Sequence, residues 1–178
     1  RQDSAGNFTY SGTLPTDPFY VFDGEQALVD NYNANKSFDY LDAVLSQGFQ
    51  SSHQISANGG SEKTRFNASV GYFKEDGVVP LMDFTRFNAR LNLDNRINDT
   101  VKFGFSLTLT QSSQNWGSNA TLGEAYRNIP LGNPYDADGN INFNTWNDGI
   151  ASNPLSELVE NAYIDERNTT RLFAPVYL

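Results

Sequence analysis

Between Phe49 and Ser112 the chain alternates apolar and polar side chains with a period of two, four times over. In one run Thr64, Phe66, Ala68, Val70 and Tyr72 form a row, and Arg65, Asn67, Ser69 and Gly71 form the opposite row. In the next, Phe87, Ala89, Leu91 and Leu93 oppose Arg86, Asn88, Arg90, Asn92 and Asp94. In the last, Val101, Phe103, Phe105, Leu107 and Leu109 oppose Lys102, Gly104, Ser106, Thr108 and Thr110. The first run is the weakest, with Phe49, Ser51, His53, Ile55 and Ala57 as its outward row. Successive strand side chains point to opposite faces, so the pattern predicts a sheet with one apolar and one wet face. Residues 168–178 alternate again, with Thr170, Leu172, Ala174, Val176 and Leu178 on one side and Thr169, Arg171, Phe173, Pro175 and Tyr177 on the other. Pro175 has no N–H for a ladder, so either this strand breaks locally or its neighbour tolerates the gap.

Two settings produce such a sheet. A soluble sandwich or barrel turns the apolar face inward, and half-buried antiparallel sheets of that kind are common. A membrane barrel turns it outward to lipid and the polar face to a wet lumen. Three features favour the second. Two of the runs approach the length that a tilted strand needs to cross a bilayer. The polar row carries several Arg, Asn and Lys residues together. The connections alternate in length: short at Gly59–Lys63 and Asn95–Thr100, longer over 74–83, where Asp76-Gly77 lies. Short turns mark the periplasmic rim of such a barrel and long ones its outer rim.

The flanks, 1–48 and 113–167, leave the strand pattern and read as long folded loops. Helical spacing is weak over Gly24–Asn31 and better over Ser37–Leu45, where Ser37 is a candidate cap and Phe38, Leu41, Val44 and Leu45 share a face. Further short helices are expected over Thr121–Ile129, ahead of Pro130, and over Pro154–Ala162, with Asn153 as cap.

Charge sharpens the division. The chain has 178 residues and a net charge of −9. Residues 49–112 hold seven Lys/Arg and six Asp/Glu, and the remainder five and fifteen, so the acidic excess lies in the loops. Nucleic acid is therefore not expected as a partner, because phosphate binding needs a basic surface. Cysteine is absent, which removes disulfides and thiolate metal sites. Mean hydropathy is −0.53, compatible with a barrel in which only alternate residues meet lipid.

Candidate chemistry is sparse. His53 is the lone histidine and has no partner for a metal or nucleophile site. Asp136, Asp138 and Asn140 have the alternate spacing of a calcium-loop opening, but Asn147 stands where that loop needs Glu. Asp138-Gly139 reads better as a hairpin turn. No phosphate loop, GxSxG or HExxH occurs. No catalytic residue, metal ligand or cofactor is assigned, and the chain is not expected to be an enzyme.

The stretch QISANGGSEKTRFNASVGYFKEDGVV…FTRFNARLNLDNRINDTVKFGFSLTLT resembles the SusC/RagA family of TonB-linked outer-membrane transporters. The resemblance lies in ordered features: a strand ending in Gly-Gly, a Glu-Lys-Thr-Arg link, a strand ending in Gly-Tyr and an acidic Asp-Gly loop. Phe-x-Arg-Phe-x-x-Arg-Leu-Asn-Leu-Asp then leads to an Asn-Asp turn. Weaker likeness continues through Asn153-Pro154-Leu155 and 168–177.

The resemblance implies an all-β fold, a segment of an antiparallel up-and-down transmembrane β-barrel whose long extracellular loops contain short helices. On that reading 1–48 is an extracellular loop, 49–112 four barrel strands in two hairpins, 113–167 a long extracellular loop and 168–178 a further strand of one incomplete barrel domain. The chain would be an interior piece, without the plug, the TonB box and most strands. Phe66, Val70, Tyr72, Phe87, Leu91, Phe103, Phe105 and Leu107 would face lipid. Arg65, Asn67, Arg86, Asn88, Arg90 and Lys102 would face the lumen. The implied function is import of large nutrients, glycans or peptides, across the outer membrane of a Gram-negative, Bacteroidota-like cell. TonB would drive it through parts outside this chain, and a SusD-like surface lipoprotein would close the mouth. Trp116, Tyr126, Tyr135 and Trp146 are the candidate aromatics for stacking on a substrate, with packing of the loops or contact with the lipoprotein as the plainer role for each. The rival expectation is a soluble, secreted β-sandwich acting as a carbohydrate-binding module.

Overall fold

The computed structural model describes residues 25–146 and 149–178. Within it the chain divides into two compact units. One comprises residues up to Leu41 together with Leu122–Ser156; the other comprises Asp42–Thr121 and Glu157–Leu178.

The second unit is the sheet. Its strands are β1 Phe49–Gly60, β2 Thr64–Asp76, β3 Asp83–Arg96, β4 Lys102–Asn115, β5 Glu166–Phe173 and the short β6 Val176–Tyr177. They pair antiparallel in chain order, and β6 continues along β4 beyond β5. This is an up-and-down meander, open at β1 and at β5. The register never slips: His53 faces Tyr72, Tyr72 faces Phe87, and Phe87 faces Gln111 in one row. A one-residue slip would send every apolar side chain to the wet face, so the alternation excludes odd slips and the tight turns set the remaining register.

The connections explain the ends. Between β1 and β2 the Ser61 N–H donates to the Thr64 carbonyl at 2.7 Å, and the Ser61 hydroxyl accepts from the N–H groups of Lys63 and Thr64. Between β3 and β4 the Asn98 carboxamide oxygen accepts from the N–H groups of Thr100 and Val101 at 2.9 and 2.8 Å. Such local side-chain acceptors let the chain reverse within a few residues. These two tight turns share one end of the sheet, while Gly77–Met82 and the long excursion from Trp116 to Asp165 leave from the other. The Trp116 N–H donates to the Asp165 carbonyl at 2.9 Å and clamps the base of that excursion.

Pro175 does not break the strand. Phe173 faces Thr108 and Val176 faces Phe105, so β5 and β6 are one strand in one register. The Ser106 N–H donates to the Pro175 carbonyl at 2.9 Å. The reciprocal bond is missing because proline has no donor. The neighbour tolerates the gap.

The other unit is a folded loop built on α1 Gln26–Asn33. Leu28 and Val29 are its buried face. Helix α2, Tyr40–Val44, and α3, Thr121–Arg127, lie at the junctions between the units. The order of the first two is the reverse of that expected: the weak candidate is the longer helix, and α2 begins only at Tyr40. Ser37 is therefore not its cap. Phe38, instead of entering a helix, donates its N–H to the Pro130 carbonyl at 2.7 Å. The helix expected over Pro154–Ala162 is a single 3-10 turn, Pro154–Leu158. Asn153 does cap it, its side-chain oxygen accepting the Leu155 N–H at 3.1 Å. The expected loop residues 1–24 and Asn147 lie outside the described residues.

Candidate functional site

The sheet presents two chemically distinct faces. On one, Ile55, Ala68, Val70, Ala89, Leu91, Leu107, Leu109 and Leu172 lie in registered rows, with Tyr72 and Phe87 bordering one end and Phe66, Phe103 and Phe105 the other. The band is open to solvent: Ile55 is 74% exposed, Leu172 66% and Val176 65%. Among the described residues no second sheet covers it. The eight residues proposed to face lipid all belong to this face. Its charges, Lys74, Asp76, Asp83 and Glu166, gather beyond Tyr72 and Phe87, at the end of the long excursion.

The opposite face holds Arg65, Asn67, Arg86, Asn88, Arg90 and Lys102, the six residues proposed to face a lumen. The pairing brings further polar groups among them. Asn92 faces Ser106, whose hydroxyl donates to the Asn92 carboxamide oxygen at 2.6 Å. Tyr177 lies across Gly104 and donates its hydroxyl to the Asp94 carboxylate. A Cβ at position 104 would stand 2.3 Å from the Tyr177 ring, so glycine is what lets the ring span β4. At the tight-turn end, Arg65, Asp94, Lys102 and Tyr177 border a recess of about 370 Å³. At the other end, Phe73 and Phe84 meet at 5.9 Å, and the Arg86 guanidinium lies over Phe73 at 5.4 Å.

Arg167 and Arg171 also belong to this face, through their pairing with Gln114 and Thr110. The sequence placed Arg171 on the polar row of its run, but only the register with β4 shows that it shares a row with Asn88.

The four candidate aromatics are divided between the two units. Trp116 belongs to the sheet unit and is 42% exposed beside Met82 and Phe84. Tyr126, Tyr135 and Trp146 belong to the loop unit. Tyr126 is 75% exposed. Tyr135 packs edge-on against Phe38 at 6.3 Å. Trp146 is only partly exposed, with its indole N–H buried.

What holds the loop unit is a set of buried polar side chains, of which the sequence pointed to Asn153 alone, and only as a cap. Asn153 donates to the carbonyls of Pro134 and Asn142, each at 2.8 Å. Asn128 donates to the carbonyls of Glu124 and Ser152, and accepts from the Thr145 hydroxyl. The Glu124 carboxylate takes the Ser152 N–H at 2.9 Å and the Arg127 guanidinium at 2.8 Å. Buried backbone in an irregular loop must find partners, and these side chains supply them. Burial raises the Tyr40 phenol above its ordinary 10.0. Asp136 accepts the N–H groups of Asp138 and Asn140 at 2.9 and 2.8 Å, with Gly139 at φ 85°. Its carboxylate is thus committed to the hairpin turn. The Asn140 backbone bond, followed by the Asn140 side chain, holds its pKa below the ordinary 3.8.

The structure defines an all-β protein built on an open antiparallel meander, with one apolar face and one polar face. No family model matches the chain. TonB-dependent receptor P3 of Formosa agariphila is 29% identical over 175 residues, covering 92% of this chain and 17% of that protein. TonB-dependent receptor P26 of the same organism is 27% identical over 133 residues, covering 75% and 13%. TonB-dependent receptor SusC of Bacteroides thetaiotaomicron is 27% identical over 104 residues, covering 57% and 10%. The chain is homologous to the SusC-like TonB-dependent receptors, as the motif resemblance implied. It spans less than a fifth of the length of each of these relatives.

Proposed function

We propose that this chain forms part of the wall of an outer-membrane β-barrel that imports large nutrients, glycans or peptides, under the drive of TonB. The observation that carries the reading is the separation of the two faces over a sheet without a register slip. The apolar band, closed at both ends by aromatic residues, suits lipid between two interfaces, and the arginine-rich face suits a wet lumen. A sandwich needs a second layer over an apolar face of this size, and the described residues supply none. The tight turns would lie at the periplasmic rim. The 1–48, 74–83 and 113–167 segments would lie outside, where a SusD-like lipoprotein would close over them and where Tyr126 and Tyr135 are available to substrate or to that partner.

The test is made on the whole receptor in its cell. An epitope inserted at Gly139 should be cut by protease added to intact cells, and one at Gly60 should be spared. Uptake should stop when TonB is deleted. Protection at Gly139 with cleavage at Gly60 would overturn the orientation, and uptake independent of TonB would overturn the transport reading.

A further inference from the structure

Within the six strands described above only two residues are buried, and both are glycines, Gly71 and Gly104. Each is covered by the residue directly opposite it on the neighbouring strand. Asn88 lays its carboxamide on Gly71, and Tyr177 lays its ring on Gly104. A Cβ at position 71 would stand 2.9 Å from the Asn88 side-chain nitrogen, and one at position 104 would stand 2.3 Å from the Tyr177 ring. Tyr177 reaches further than its own partner strand. It crosses β4 and donates its hydroxyl to Asp94 on β3, the residue that faces Gly104 from the other side. Asp94, Gly104 and Tyr177 thus form one row over three strands, about 10 Å from end to end at ~4.8 Å per strand.

That reach falls where the pairing is least constrained. Tight turns set how β1 meets β2 and how β3 meets β4, but β4 and β5 are joined by the long excursion from Trp116 to Asp165. Alternation forbids a slip of one residue there and permits a slip of two. The Trp116–Asp165 bond clamps one end of β5. Toward the other end Pro175 removes a ladder donor, and beyond it only Val176 and Tyr177 pair with β4. Bonded pairs alternate along an antiparallel ladder, so Gly104–Tyr177 is the next bonded pair after Ser106–Pro175. Glycine at 104 weakens the stretch further, because it has no side chain to pack.

We propose that Tyr177 is a strap, which fixes the register of the chain beyond Pro175 to β4 and β3 together. The ring supplies the packing that Gly104 lacks, as an aromatic side chain does opposite glycine in a sheet. The hydroxyl selects the row. Slipped two residues one way, Tyr177 would face Lys102 with Arg96 behind it, and neither cation accepts a hydrogen bond. Slipped two residues the other way, it would face Ser106 with Asn92 behind it. The Asn92 carboxamide oxygen already accepts the Ser106 hydroxyl at 2.6 Å. Both rows also carry a side chain on β4 where the ring would lie. Only the Gly104 row offers an open bed for the ring and a carboxylate at the end of its reach. The strap is a property of the sheet and does not depend on the import reading above.

The experiment uses the whole receptor folded in detergent and reads hydrogen exchange by residue-resolved mass spectrometry. In the wild type the Tyr177 amide should be protected, as the Phe173 amide is on the near side of the proline. In Tyr177→Ala the amide at 177 should exchange about fivefold or more faster, the worth of one hydrogen bond. Tyr177→Phe keeps the ring and loses the bond to Asp94, so its rate should fall between the two. Gly104→Ala should also speed exchange, because the far end of the Tyr177 side chain is what its Cβ would displace. The double variant G104A/Y177A should exchange no faster than Tyr177→Ala alone, since the ring that the Cβ displaces is already gone. Single effects that multiply in the double variant would show that the two residues act independently and would overturn the strap. So would an unchanged rate in Tyr177→Ala, or a Tyr177→Phe rate equal to the wild type. A fast Tyr177 amide in the unmodified receptor would overturn it without any variant having to fold.

Discussion

At the scale of single residues, the two faces make opposite forecasts for the same substitution. Leu91 lies inside the apolar band between Ala68 and Leu107. An arginine there, near the middle of a bilayer, should cost ~2–4 kcal/mol. Asn67, one row along on the opposite face, should accept arginine at a cost of under about 1 kcal/mol, as surface substitutions do. Urea unfolding of the whole receptor refolded into lipid would compare the two. Equal losses would contradict the outward-apolar arrangement. Asp136 makes a separate forecast in acid. Its folded pKa lies below the ordinary 3.8, so its contribution is complete above that value and is lost as pH falls through the lowered one. The amides of Asp138 and Asn140 should therefore lose protection from exchange in strong acid. In Asp136→Asn they should show no such pH step.

Elements show where sequence was informative and where it was not. The strands were legible because a period of two on a half-buried surface has one solution, and their rows were readable down to Arg171. The loop unit was not legible. Its stability comes from Asn128, Asn153 and Glu124 serving distant backbone groups, and no spacing rule announces a partner eleven or more residues away. Helical periodicity misled for the same reason: Phe38 is drawn into packing with Tyr40 at 4.9 Å and with Tyr135, which leaves α2 short. Pro175 shows the limit from the other side, since the prohibition on proline in a ladder was sound but the cost was one bond. Pro175→Ala would restore a donor to Ser106, worth about 0.5–1.5 kcal/mol. It would also free the unfolded chain, at a cost of about 0.4–1 kcal/mol. Net stability should stay within about 1 kcal/mol of the parent, while the new amide at 175 should exchange slowly. A fast amide there would show that the strand is broken after all. The strands also run past the apolar band. Cysteine at Ser113, beyond the Phe87 row, should react with a membrane-impermeant maleimide on intact cells, whereas cysteine at Leu107 should not.

For the molecule as a whole, the decisive feature is that, among the described residues, the sheet has two open edges and no second sheet over its apolar face. β1 and β5 each leave a row of unpaired backbone groups, and such edges template association with other chains. The apolar face adds Phe66, Val70, Tyr72, Phe87 and Leu172, all well exposed. Apolar patches above a few hundred Å² are seldom left uncovered on a soluble monomer. The sheet cannot fold over to bury its other face instead. Arg65, Arg86, Arg90 and Arg171 would then enter an interior without partners, and an unpaired buried charge is far more costly than an exposed leucine. The loop unit has a small core of its own around Leu28, Asn153 and Pro154. Residues 1–178 expressed alone in plain buffer should therefore aggregate, and detergent or added strands should rescue them. Size-exclusion chromatography with a thermal melt decides the matter. A monodisperse monomer with a sharp, reversible transition in the absence of detergent would mean that something covers the apolar face, and would restore the soluble sandwich as the better description of this chain.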